Sequence, residues 1–172
     1  MIGKRIEKAF GEQLNAELYS AYLYLSMAAY FDSENLPGFA GWMKVQAQEE
    51  VAHAMKFYGH INERGGRVTL KAIAGPKTNW KSPLEAFQDA HKHEQKVTGL
   101  IDKLMTLAEA EKDRAASIFL QWFVAEQVEE EASVDYVVKT LERVKGAPMA
   151  LLMLDRESAK RTFAPTPTEG GE

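Results

Sequence analysis

Apolar residues recur along this chain at helical spacing, in four long stretches and one short one. Ile6, Phe10, Leu14, Leu18, Ala21, Leu25 and Ala28 step by three or four residues, which predicts a helix over about residues 4–31. Asp32 to Gly38 breaks the pattern. Pro37 suits the first turn of a second helix, over about 38–64, and Gly65-Gly66 stops it. Residues 67–81 read as irregular, with Gly75-Pro76 in their middle. Ser82-Pro83-Leu84-Glu85 then opens a third helix, over about 83–109, with a serine N-cap, a proline in the first turn and a glutamate three residues after the serine. A fourth helix spans about 113–144. After the break at Lys145 to Pro148, a short fifth covers about 149–160 and is strongly apolar from Met149 to Leu154. The prediction is an all-α protein with one domain over residues 1–163 and a flexible, Pro- and Gly-containing tail over 164–172.

Loop lengths restrict how these helices are arranged. Short connections make the first and second helices antiparallel neighbours, and likewise the third and fourth. About 17 residues separate the second from the third. A helix of ~27 residues is ~40 Å long at ~1.5 Å per residue, and 17 extended residues reach at most ~60 Å. The middle connection can therefore run the length of a bundle and leave the second and third helices parallel. The result is a four-helix bundle with one long crossover.

Six polar residues interrupt the buried seams of that bundle. Glu17 lies in a heptad row with Phe10, Tyr24 and Phe31. Glu50 lies between Met43 and Phe57, and Glu94 between Phe87 and Ile101. Gln127 lies between Leu120 and Val134, and Glu130 between Phe123 and Val137. His53 completes a Glu-x-x-His pair with Glu50, which puts both on one helix face. Each carboxylate sits near its helix's midpoint, so all four reach one level of the core whichever way the helices point. Buried carboxylates are costly unless protonated, paired or bound to a cation. Four of them with one histidine cannot pair with each other, and a hydrogen-bonded network without metal needs most of them protonated. A cation is the economical reading. Oxygen-rich ligation with one imidazole suits iron or manganese better than structural zinc.

Composition narrows the classes. The chain has 172 residues, 45% hydrophobic and 27% charged, with a net charge of −4. That balance argues against a nucleic-acid partner. The absence of cysteine excludes disulfides, zinc–thiolate sites and iron–sulfur clusters, and it agrees with a reducing cytoplasm. Residues 1–14 read as an amphipathic helix rather than a signal peptide. No stretch approaches the 18 or so uncharged apolar residues of a membrane span.

A second acidic group flanks the first. Glu49 adjoins Glu50, and Gln127 stands among Glu126, Glu129, Glu130 and Glu131. Glu49, Glu126 and Glu129 sit beside the seam and form a candidate third, more exposed cation site, whereas Glu131 suits a solvated face. Tyr24, two turns after Glu17, is placed to hydrogen-bond a metal ligand or to donate an electron, as well as to pack. Trp122, one turn before Glu126, reads first as packing. His60, His91 and His93 fall off the seam rows and read as surface histidines.

At these residues the chain resembles the prokaryotic non-haem ferritins. The segments that carry the resemblance are ELYSAYLY from Glu17, QEEVAHAMKFYGHINERGGR from Gln48, His93-Glu94, and QWFVAEQVEEE from Gln121. It covers about residues 4–163. The resemblance implies one iron site from Glu17, Glu50 and His53 and another from Glu50, Glu94 and Glu130, with Glu50 bridging. Gln127 and Tyr24 belong to their surroundings, and Glu49, Glu126, Glu129 and Glu130 form a third iron site. It further implies Fe(II) oxidation by O2 or H2O2, iron storage and self-association into a 24-subunit cage. Gln127-x-x-Glu130 stands where bacterioferritin-like and rubrerythrin-like proteins carry a second Glu-x-x-His. Val51 replaces the haem-binding methionine of bacterioferritins, so no haem is expected. The acidic three-fold pore positions of animal ferritins fall on Ser117 and Leu120. The fifth helix also supports assembly, because its apolar face has little core left to join. Two alternatives are a di-iron peroxide scavenger that stores no iron and a non-enzymatic, cytokine-like helical interaction protein.

Overall fold

The computed structural model describes residues 1–163, and the tail assigned to 164–172 lies outside the described residues. Five helices form in order: α1 (Lys4–Ser33), α2 (Pro37–Glu63), α3 (Pro83–Ala110), α4 (Arg114–Arg143) and α5 (Pro148–Ser158). The first four build the bundle, with backbone contact concentrated within the α1/α2 and α3/α4 pairs, and α5 packs on α2.

The start and stop signals work largely as the sequence suggests. Ser82 Oγ accepts the Glu85 amide at 3.2 Å. Glu85 reaches back to the Lys81 amide at 2.7 Å rather than to that of Ser82. Asp113 caps α4 through the Ala116 amide at 3.0 Å and holds Arg64 with two contacts of 2.9 Å. This ties the end of α2 to the start of α4. Gly65 ends α2 at φ +71°, a conformation that costs a residue with a Cβ.

The crossover is a strap along α1. Arg67 N donates to Glu7, Lys71 N to Asn15, and Ser26 Oγ to the Lys77 carbonyl. These contacts climb α1 from its first turns toward its last. The strap therefore carries the chain from the end of α2 back to the level where α2 began, and α3 starts parallel to α2.

Two apolar clusters fill the interior. One is built around Phe31, Phe39, Met43 and Phe87, the other around Phe10, Phe57, Ile101 and Phe123. The first gathers the C-terminal half of α1 and the start of α2, and the second the opposite ends. Each fully buried Phe contributes roughly 1.5–3 kcal/mol. Leu25, assigned to the α1 stripe by its spacing, is exposed, while Tyr24 and Met27 point inward. Leu120 is fully buried in the second cluster and lines no surface, so an acidic pore has no counterpart at that position.

The start of α5 is only partly covered. Leu154 is buried and Leu151 packs on the first cluster, but Met149 and Met153 are 71% and 65% exposed. Part of the apolar face expected of this helix thus remains outside the core of the subunit.

Candidate metal centre

Between the two apolar clusters lies a polar layer. Glu17, Glu50, His53, Glu94, Gln127 and Glu130 are all at most 5% exposed. Each comes from the middle of its helix, so the antiparallel and parallel pairings bring them to one height. All six seam positions therefore meet.

Their ligand atoms converge in triads. Glu17, Glu50 and His53 each offer an atom within 4.8 Å of the others, as do Glu50, Glu94 and Glu130. Glu50 belongs to both groups. A third triad joins His53 and Glu130 to Glu126. His53 Nδ1 lies 3.7 Å from Glu50 Oε2, and its Nε2 lies 4.0 Å from Glu126 Oε1. The ring meets Trp122 and Phe123 edge-on, which fixes its plane.

Hydrogen bonds hold the layer from behind. Tyr24 donates its hydroxyl to Glu94 Oε1. Gln127 Nε2 donates to the other Glu94 oxygen at 3.3 Å. Gln13 Nε2 donates to Glu17 Oε1 at 2.9 Å. Gln46 Nε2 bridges Glu50 Oε1 at 3.2 Å and Glu130 Oε1 at 2.9 Å. Gln13 and Gln46 are buried and were not among the predicted site residues. A signal for them exists: each stands four residues before a seam glutamate, on the same helix face.

The remaining oxygens are bare. Glu17 Oε2, Glu50 Oε2 and Glu130 Oε2 are buried without a partner. Burial raises the pKa of all four seam carboxylates. Glu50 and Glu130 are pushed well above the ordinary value, first by burial and then by neighbouring carboxylates. Burial and the charge of Glu94 also push Tyr24 well above its usual range, which keeps the phenol protonated as a donor. The donor set is hard oxygen with one imidazole, and it suits two divalent cations sharing Glu50.

The residues assigned to an outer site are less gathered. Glu126 is half-buried and close to His53. Glu129 is exposed. Glu49 contacts Arg161, beyond the end of α5. The three histidines read as surface residues are each half-buried, and two of them make specific contacts within the fold. His93 packs against Tyr19 and Tyr24 and bonds Ser20 Oγ at 2.7 Å. Burial lowers its pKa to about 4. His60 stacks on Phe119 at 4.1 Å, and its Nε2 is buried without a partner. Rows seven residues apart capture the bundle axis but miss residues packed between neighbouring helices, where these two sit.

A four-helix bundle with one long crossover, holding a carboxylate–histidine cluster at mid-height, defines a ferritin-like metal-handling bundle. The chain belongs to the ferritin family: the model of the ferritin-like domain matches residues 7–144. A bacterial non-heme ferritin of Bacteroides fragilis is 42% identical over 161 residues, covering 94% of this chain and 100% of the relative. One from Staphylococcus aureus is 39% identical over 163 residues, covering 95% and 98%. Among solved structures, an Archaeoglobus fulgidus ferritin engineered into a closed form is 51% identical with a TM-score of 0.94, covering 95% of this chain and all of that one. An open-pore ferritin from the same archaeon is 51% identical with a TM-score of 0.93, covering 94% and 100%. The chain thus shares fold and near-full length with both bacterial and archaeal ferritins.

Proposed function

We propose that this protein oxidises Fe(II) at a di-iron centre within each subunit and stores the ferric product inside a homo-oligomeric cage. The observation that carries the reading is the set of three bare, buried carboxylate oxygens on Glu17, Glu50 and Glu130. Each such group costs several kcal/mol unless it is neutralised, and their spacing offers metal positions on both sides of Glu50. Fe(II) is substrate here, not a resident cofactor. Glu17, Glu50 and His53 bind one ion, and Glu50, Glu94 and Glu130 the other.

Each Fe(II) gives up one electron. Two electrons and two protons convert O2 to H2O2, or H2O2 to two waters. Anionic ligands stabilise the more highly charged Fe(III) and so favour the oxidation. Tyr24 and Gln127 hold Glu94 in place, and Gln13 and Gln46 orient Glu17, Glu50 and Glu130. Gln127 stands where the second Glu-x-x-His of related bundles carries its glutamate, so a neutral amide replaces an anionic ligand, which favours release of ferric product over its retention. Glu49, Glu126, Glu129 and Glu130 form an outer position that takes up iron beside the pair. The exposed apolar side chains of α5 support assembly into the cage, and the reading places the protein in the cytoplasm. Among the described residues no helix is long and apolar enough to cross a membrane.

Stopped-flow oxidation of Fe(II) tests this reading. The parent protein oxidises two Fe(II) per subunit in a fast phase, and Glu50→Ala loses that phase. Oxidation at the parent rate by Glu50→Ala would remove the proposed centre. Mineral loading beyond a few irons per subunit separates storage from peroxide scavenging, and a monomer on size-exclusion chromatography contradicts the cage.

A further inference from the structure

Glu49 follows a different path from its neighbour Glu50. Its carboxylate contacts Arg161, which lies three residues past the end of α5. The Arg161 guanidinium also lies 4.1 Å over the Trp42 ring. The Arg161 and Glu49 side chains are only 23% and 19% exposed. Arg161 Nη1 is buried and has no partner. A guanidinium fixed on an aromatic face, with one nitrogen on a carboxylate and another unsatisfied, is poised against anionic groups rather than solvated.

This contact bears on the outer cation position. Glu126 and Glu130 reach one another and His53, and Glu130 Oε2 is buried without a hydrogen-bond partner. Glu49 would complete the position from α2, but its charge is already matched by Arg161. A carboxylate held by a guanidinium is a weaker ligand, because binding a metal there first breaks a charge-assisted hydrogen bond.

We propose that Arg161 is a built-in competitor for the outer cation position: it neutralises Glu49 when no metal is bound and leaves Glu49 when a divalent cation binds there. Departure of Arg161 also unstacks it from Trp42 and loosens the segment after α5. Occupancy of the outer position is thereby linked to the docking of residues 159–163. The inference rests on the reading of Glu49, Glu126 and Glu129 as an outer site.

Zinc is a redox-inert probe of that competition. Calorimetric titration of the assembled parent is expected to show two tight equivalents per subunit and a weaker third. Arg161→Gln tightens the third about tenfold, the scale of one lost charged hydrogen bond, and leaves the first two unchanged. Adding Glu49→Gln to that variant removes the gain. In the parent alone, the third equivalent increases amide exchange over residues 158–163. A third equivalent of equal affinity in parent and Arg161→Gln, or unchanged exchange in the parent, overturns the competition. Absence of a third equivalent from both proteins instead overturns the outer-site reading, and the competition with it.

Discussion

At the scale of single residues, the layer depends on glutamines as much as on glutamates. Gln46 alone contacts both Glu50 and Glu130, so one side chain sets the spacing between the shared ligand and the far one. Groups that orient metal ligands are commonly worth 10–100-fold in affinity. Gln46→Leu is therefore expected to weaken cobalt or zinc binding about tenfold while far-UV circular dichroism stays unchanged, and parent-like affinity would show that the contact is incidental. His93 gives a different residue-level test. Its folded pKa, about 4, lies below the ordinary 6.5. Between these values the unfolded chain binds the proton and the fold does not, so stability is full above pH 6.5 and declines as pH falls toward 4. His93→Gln should flatten that part of the melting-temperature profile. The four seam glutamates were legible because a charged residue in an apolar heptad row contradicts its surroundings, and His53 and Gln127 followed from their spacing to Glu50 and Glu130. Gln13, Gln46 and His93 were harder to see, because neutral polar residues beside a seam produce no such contradiction.

At the scale of elements, a charged group adds to the apolar packing that fastens α5 to the bundle. The N-cap of α2 is Leu36, which offers no capping side chain. Asp155 supplies the missing acceptor from α5: its Oδ1 takes the Phe39 amide at 2.8 Å, in the interior. This places an anion at a helix N-terminus, where the free amides and the dipole favour it. Gly38 makes the approach feasible, since a Cβ there would lie 1.7 Å from the Asp155 carbonyl oxygen. Asp155→Ala should cost about 1 kcal/mol. Gly38→Ala should displace α5 altogether, seen as rapid amide exchange over 148–158 with the four-helix core still protected. Protection of α5 in Gly38→Ala would contradict the docking geometry. The sequence made the existence of five helices plain through periodicity, Pro and Gly. It gave no sign that a residue in α5 caps α2, because such a cap joins positions 116 apart in the chain and leaves no local pattern.

At the scale of the whole molecule, the bundle is two apolar cores joined through a layer of buried acid. Without metal, that layer favours protons. The raised pKa values of Glu50 and Glu130 mean that the fold binds protons the unfolded chain releases. Their contribution to stability is therefore greatest below the ordinary value of 4.5 and is lost as pH rises through the raised folded values. A bound cation replaces those protons. Zinc should accordingly raise the melting temperature more at about pH 8 than at about pH 6, with protons released on binding; an equal rise at both would mean that the carboxylates are already ionised. The crossover length and the mid-helix placement of the glutamates were enough to anticipate the layer, whereas the cage is a property of surfaces between subunits. The central claim is that two irons bind in this layer on either side of Glu50. Anomalous diffraction from crystals soaked anaerobically in Fe(II) tests it most directly. Two iron peaks per subunit, one among Glu17, Glu50 and His53 and one among Glu50, Glu94 and Glu130, are the predicted result; a layer without iron would contradict it.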